Sequence, residues 1–246
     1  MKQYILGQTE HYDATKMRVW AFKQVSDIIE GIHCNLSNMA GGYPFEMGGR
    51  KWNNSEVAYL CGEFSDGTGI DIQRELIGTK SGYAAKRFIK AKYLERVRPD
   101  FKEFRLQWML YVVWYKCVTH EDFLHKLLSI PDDVTLVEDT TTDTGGSAEI
   151  WGCKNYEHQR VKNAVAEETR QRLEGTMSKK TLEAVIGVEC CKVQNVGTWV
   201  GQNNIGKILM MCREAIKENA EPAIDRALLE SKHIIILDKE LEFSES

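Results

Sequence analysis

The chain is read from Leu36-Ser37-Asn38-Met39-Ala40-Gly41-Gly42-Tyr43-Pro44-Phe45-Glu46-Met47-Gly48-Gly49-Arg50-Lys51-Trp52-Asn53-Asn54-Ser55-Glu56, which runs on into an apolar segment ending at Phe64. Its middle predicts a short hairpin: Tyr43 to Met47 extended, a Gly48-Gly49 turn, and a return through Trp52. Ser55 is a suitable helix N-cap. Glu56 would then take the first helical position, where free N–H groups and the helix dipole favour a carboxylate. Taken alone, Ser55 and Glu56 do no more than start a helix.

Working outward, the 246 residues suffice for one generous domain or two small ones. With 43% hydrophobic and 28% charged residues the chain can bury a core and is not disordered. A net charge of −4 gives no global attraction to nucleic acid or anionic membrane. No apolar run approaches the roughly 20 residues of a membrane span, and the first residues lack a signal-peptide core. Seven cysteines without a C-x-x-C pair, two of them adjacent at Cys190-Cys191, suit neither a zinc site nor a disulfide framework. The expectation is a reduced, cytoplasmic protein with no metal and no cofactor.

Upstream, Met17 to Phe22 alternates like a strand, with Val19, Ala21 and, if the strand starts that early, Met17 sharing a face. Downstream, Ser81 can cap a helix from Tyr83 to Ala91 that carries Lys86, Arg87 and Lys90. That helix presents either a solvated basic face or a phosphate contact. Asp100 and Glu103 have capping-box spacing before a core helix with Phe101, Phe104, Trp108, Met109 and Val112 at three- and four-residue intervals. Thr119 caps a second helix, and Val134 to Glu138 reads as a short buried strand. The polar loop from Asp139 to Gly152 is of the kind that carries chemistry on a rigid scaffold. Asn155 to Gly175 is a charged helix, and Lys179 to Cys191 reads as helix then strand. Ile205, Ile208, Leu209, Cys212 and Ile216 mark a last apolar stripe. The fold class is therefore α+β, a helix-rich single domain with a small β component, in which 154–200 is an insertion.

Several of these pieces resemble the NADAR family, the YbiA-like N-glycosidases. Leu36, Ser37, Asn38, Pro44, Phe45, Gly49, Trp52, Ser55, Glu56 and Tyr59 match the family's opening motif. Arg98-Pro99-Asp100-Phe101, Leu136-Val137-Glu138-Asp139-Thr140, Ile150-Trp151-Gly152 and Gln202-Asn203-Asn204-Ile205-Gly206 to Glu214 resemble later motifs in the same order. The likeness covers roughly Met17 to Ile216, and implies a hydrolase that cleaves the N-glycosidic bond of a nucleotide-like molecule.

The resemblance assigns Glu56 as the first catalytic residue. Beside an anomeric carbon, a carboxylate stabilises an oxocarbenium-like state or aligns water. A second acid is Asp143, by its spacing from Leu136-Val137-Glu138, or Glu149, by its closeness to Trp151. Asn38, Trp52, Glu63, Lys86, Trp151 and Asn203 are the substrate-binding candidates. Trp151 either stacks on a base or sugar or anchors its loop; Asn203 either receives phosphate at a helix N-terminus or caps the helix. Glu63 departs from many members of the family, which carry a lysine there, and together with Glu56 would place two acids on one helical face. The expected partner is a nucleotide, an ADP-ribosylated base or a modified nucleobase in DNA. Two other readings stay open beside it: a DNA glycosylase in phage defence, and a non-catalytic ADP-ribose or nucleotide-binding module.

Overall fold

The structure is a computed structural model and describes residues 3–23, 27–79 and 81–243. In chain order it contains β1 (Glu10–Asp13), β2 (Val19–Phe22), β3 (Ile28–Ile29), β4 (Ile32–His33), β5 (Phe45–Met47) and β6 (Arg50–Trp52). Helices α1 (Ser55–Gly62), α2 (Ile70–Ile77), α3 (Gly82–Ala84), α4 (Phe101–Thr119) and α5 (Glu121–Ser129) follow, then β7 (Thr135–Glu138), α6 (Ser147–Trp151) and β8 (Cys153–Lys154). The chain continues through α7 (Tyr156–Leu173), α8 (Lys179–Cys191), β9 (Thr198–Gly201), α9 (Asn204–Lys217), α10 (Arg226–Glu230), β10 (Ile235–Ile236) and β11 (Lys239–Glu240). These elements make an α+β fold arranged in two compact units, Asn38–Ser129 with Met211–Ser246, and Lys2–Ser37 with Ile130–Met210.

In the first unit, the Gly48-Gly49 turn has φ of +63° and +72°, the left-handed values that a two-residue hairpin demands and glycine supplies. It sets Phe45 opposite Trp52, both buried. The return strand leads into α1, whose eight residues are all buried. Helix α1 packs on α4 at Gly62, where a Cβ would stand 2.2 Å from the Trp108 indole nitrogen. That nitrogen donates to the Tyr59 carbonyl at 3.1 Å, so the closest approach of the two helices is also hydrogen-bonded.

In the second unit β2 lies parallel to β7, Val19 opposite Thr135 and Phe22 opposite Glu138. Strands β1, β9 and β8 form an antiparallel sheet. Tyr12, Val19, Val137, Cys153 and Trp199 make its core. The segment expected as an insertion forms the α7–α8 pair, which leaves from β8 and returns at β9.

Several local expectations are corrected. Asn54, not Ser55, caps α1, so Glu56 is the second helical residue. Tyr83 to Ala91 is not one α-helix: α3 passes into a π-helical turn, Ala85–Ile89, and then a 3-10 stretch, Lys90–Arg96. Asp100 precedes α4 without a side-chain cap, because its carboxylate is taken by Arg98 at 2.7 Å. Thr119 closes α4 instead of opening α5; its hydroxyl donates to the Tyr115 carbonyl. Met17 is exposed and lies outside β2. Lys179 to Cys191 is helical throughout, since Leu182 and Ile186 bury one face of α8.

Candidate active site

Asn54 organises the neighbourhood of Glu56. Its Oδ1 accepts from the backbone N–H of Glu56 (2.9 Å) and Val57 (3.3 Å), while its Nδ2 donates to the carbonyls of Met39 and Ala40. One side chain thus satisfies two free amides of the helix start and pins the preceding loop to it. The hydroxyl of Ser55 donates to the Asn38 carbonyl at 3.2 Å, and Asn38 Nδ2 in turn donates to Glu56 Oε2 at 3.0 Å. Glu56 is only 4% exposed. Its other oxygen, Oε1, lies 3.6 Å from Lys86 Nζ.

Lys86 is brought there by a glycine. At Gly82 a Cβ would lie 2.6 Å from Asn54 Oδ1 and 2.9 Å from the Glu56 Cβ, so only a residue without one lets α3 start against α1. The π-helical turn that follows sends Lys86 to Glu56 and Lys90 to Glu63, where Nζ and Oε1 are 2.6 Å apart. Glu56 on α1 and Glu63, the C-cap residue seven positions on, thus each receive one of two lysines four residues apart. Burial pushes the Glu63 carboxyl above its ordinary range, with Lys90 opposing the shift.

Two acceptor atoms here are buried and have no hydrogen-bond partner, Asn38 Oδ1 and Glu63 Oε2. Orphaned buried acceptors are rare, and each of these two can still accept a hydrogen bond. Trp52, by contrast, is spent on the hairpin: it is 2% exposed and its indole N–H donates to the Met47 carbonyl.

A residue not singled out in the sequence also belongs to this network. Lys116 Nζ, with the side chain 2% exposed, lies 3.3 Å from Ser55 Oγ and 4.1 Å from the centre of the Phe123 ring. Burial pulls its ammonium down to about 8. No carboxylate pairs with it among the described residues. Its sequence signal was a charge continuing the apolar stripe Phe104, Trp108, Val112 by one more step of four.

The remaining candidates belong to the second unit. Asp143 is exposed and pairs with Lys23 Nζ at 2.6 Å. Glu149, in the first turn of α6, pairs with Lys154 at 3.3 Å and borders an open cavity of about 540 Å³ that also touches Tyr156 and Gln202. Trp151 is half-buried at the end of α6, beside Gly152, whose missing Cβ leaves room for the Glu138 carbonyl. Asn203 is fully buried; it accepts from the Glu138 N–H at 3.1 Å and donates to the Leu136 carbonyl at 2.8 Å, so its amide braces β7. Asn38, Glu56 and Lys86 are therefore in direct contact, with Glu63 at the C-cap of the same helix, whereas Asp143, Glu149 and Asn203 each hold separate partners.

No family model matches the sequence, and no curated protein matches it significantly. Among solved structures, the NMR structure of the Escherichia coli protein YbiA matches with a TM-score of 0.51 and 19% identity, over 82% of this chain and 86% of that one. The chain therefore has the α+β fold of YbiA. No helix among the described residues is long and apolar enough to cross a membrane.

Proposed function

We propose that the protein is an N-glycosidase of the YbiA-like (NADAR) kind, cleaving a base or amine from the ribose of a nucleotide-like substrate. The observation that carries this reading is a buried glutamate oriented by a buried amide, with two unpartnered acceptors in the same network. Asn38 Oδ1 and Glu63 Oε2 would accept from sugar hydroxyls. Glu56 would face the anomeric carbon, where its negative charge offsets the positive charge that develops as the C–N bond breaks. Water adds to that carbon, and its proton ends on the departing nitrogen. Lys86, at 3.6 Å from Glu56, would hold the carboxylate in place or meet a substrate phosphate.

The test is base or amine release followed by mass spectrometry. The panel comprises ribosylaminopyrimidine phosphates, ADP-ribosylated guanosine, and DNA with ordinary and modified bases. The expected result is release by the wild type from at least one member, lost in Glu56→Gln. Asp143→Asn and Glu149→Gln, run beside it, are the comparison variants at the two exposed acids of the second unit. Absence of release from every member, with nucleotide binding intact, would overturn the enzymatic reading in favour of a binding module.

A further inference from the structure

A second feature of the first unit stands apart from Glu56. The tips of two hairpins, β5–β6 and β10–β11, border a cavity of about 450 Å³. Arg50 and Lys51 reach it from one hairpin and Lys239 from the other. Among the described residues none of these three cations forms an ion pair or a side-chain hydrogen bond. Asp238 is the acid of the lining. Glu46 stands opposite Lys51 in the ladder without pairing to it. Gly48 leaves the space that Leu241 fills, and Lys239 Nζ comes within 3.6 Å of where a Gly49 Cβ would be, so the two tips meet over the glycine turn. The floor is apolar and buried, from Trp52, Ile236 and Leu241.

Unpaired cations converging on a cavity attract an anion, and in a chain of net charge −4 that attraction is local and not a property of the whole surface. The cavity lies within the size range of small-molecule pockets, and its apolar floor offers contact area that a bare inorganic ion would leave unused. We propose that this cleft binds a phosphorylated organic molecule of nucleoside diphosphate size, its phosphates on Arg50, Lys51 and Lys239 and its ring on the apolar floor. The site shares only Trp52 with the candidates for glycosidic cleavage, and binding there does not depend on that reading.

The experiment is isothermal titration calorimetry with ADP, inorganic phosphate and adenosine as probes, on the full chain and on Arg50→Gln/Lys239→Gln. ADP is expected to bind the wild type, more tightly than phosphate or adenosine. The double variant should weaken ADP at least ten-fold while keeping the wild-type melting profile. Raising the salt concentration on the wild type gives a second readout that needs no variant, and should also weaken ADP. No ADP binding, ADP binding unchanged by the double substitution, or phosphate binding as tight as ADP would overturn the proposal.

Discussion

Glu56 and Glu149 occupy the same local position, the first turn of a helix, and each has a lysine within 4 Å, yet they are held in opposite ways. The side chain of Glu56 is 6% exposed and that of Glu149 69%. Around Glu56 the helix start is capped by Asn54, the carboxylate is oriented by Asn38, and a glycine lets a second segment lie against it. Helix α6 is five residues long, has no side-chain cap, and leaves the Glu149 carboxylate in solvent beside a half-buried lysine. A charge pair in water contributes little and holds no geometry, whereas the same pair in a buried network is both stronger and fixed. A sequence motif of acid at helix start therefore identifies neither; burial and the neighbouring amide separate the preorganised carboxylate from the ordinary one.

The contrast can be tested by substitutions in both regions. Glu56→Gln is expected to reduce base release by about a thousand-fold, within the range that one positioned acid–base group contributes, whereas Glu149→Gln leaves the melting temperature unchanged to about 2 °C. Activity assays and thermal unfolding of the two variants would check this; a Glu56→Gln enzyme at wild-type rate would erase the distinction.

Next in size is Lys116. The fall of its ammonium from 10.5 to about 8 corresponds to a cost of about 3 kcal/mol. Below pH 8 the folded chain keeps a buried proton at that cost. Between 8 and 10.5 the unfolded chain binds the proton and the folded chain does not, so stability rises with pH through that window. Lys116→Met should raise stability at pH 7 by a comparable amount and flatten the pH dependence in that window, as seen by denaturant unfolding at several pH values. Destabilisation on that substitution would mean that Ser55 and Phe123 hold the ammonium favourably.

Smaller effects are expected at two glycines. Gly82→Ala drives a Cβ into Asn54 and Glu56 and should cost about 2 kcal/mol, with loss of activity out of proportion to that cost because Glu56 moves. Gly146→Ala, just before α6, meets nothing within 4 Å and should be neutral or stabilising by about 0.5 kcal/mol. Equal melting temperatures for the two variants would show that the packing at Gly82 yields easily.

The legible parts of this chain were those where one local rule acts alone. The Gly48-Gly49 turn fixed its hairpin, and the spacing of Phe101, Phe104, Trp108 and Val112 fixed α4. Where two capping residues stand side by side, as at Asn54-Ser55, composition cannot choose; the structure gives the cap to Asn54 and uses Ser55 to bond Asn38. The π-helical turn at Ala85–Ile89 leaves no periodic signal, because it follows from the fit of Gly82 against Glu56 and the reach of two lysines. The run Gly187-Val188-Glu189-Cys190-Cys191 looks β-prone, but pairing with α7 keeps it helical. Glu56, Asn38, Glu63 and Lys86 were named from motif resemblance and basic patterning; the pairing of Glu63 with Lys90, 27 residues further on, needed the structure.

Strands β8 and β9 are hydrogen-bonded neighbours, with Lys154 opposite Val200, and everything between them is the α7–α8 excursion. The chain thus departs and comes back at one place on the sheet. An insertion at the α7–α8 turn, at Gly175 where the space is open, is expected to leave the strand register unchanged, which makes that turn a splice point for a reporter domain.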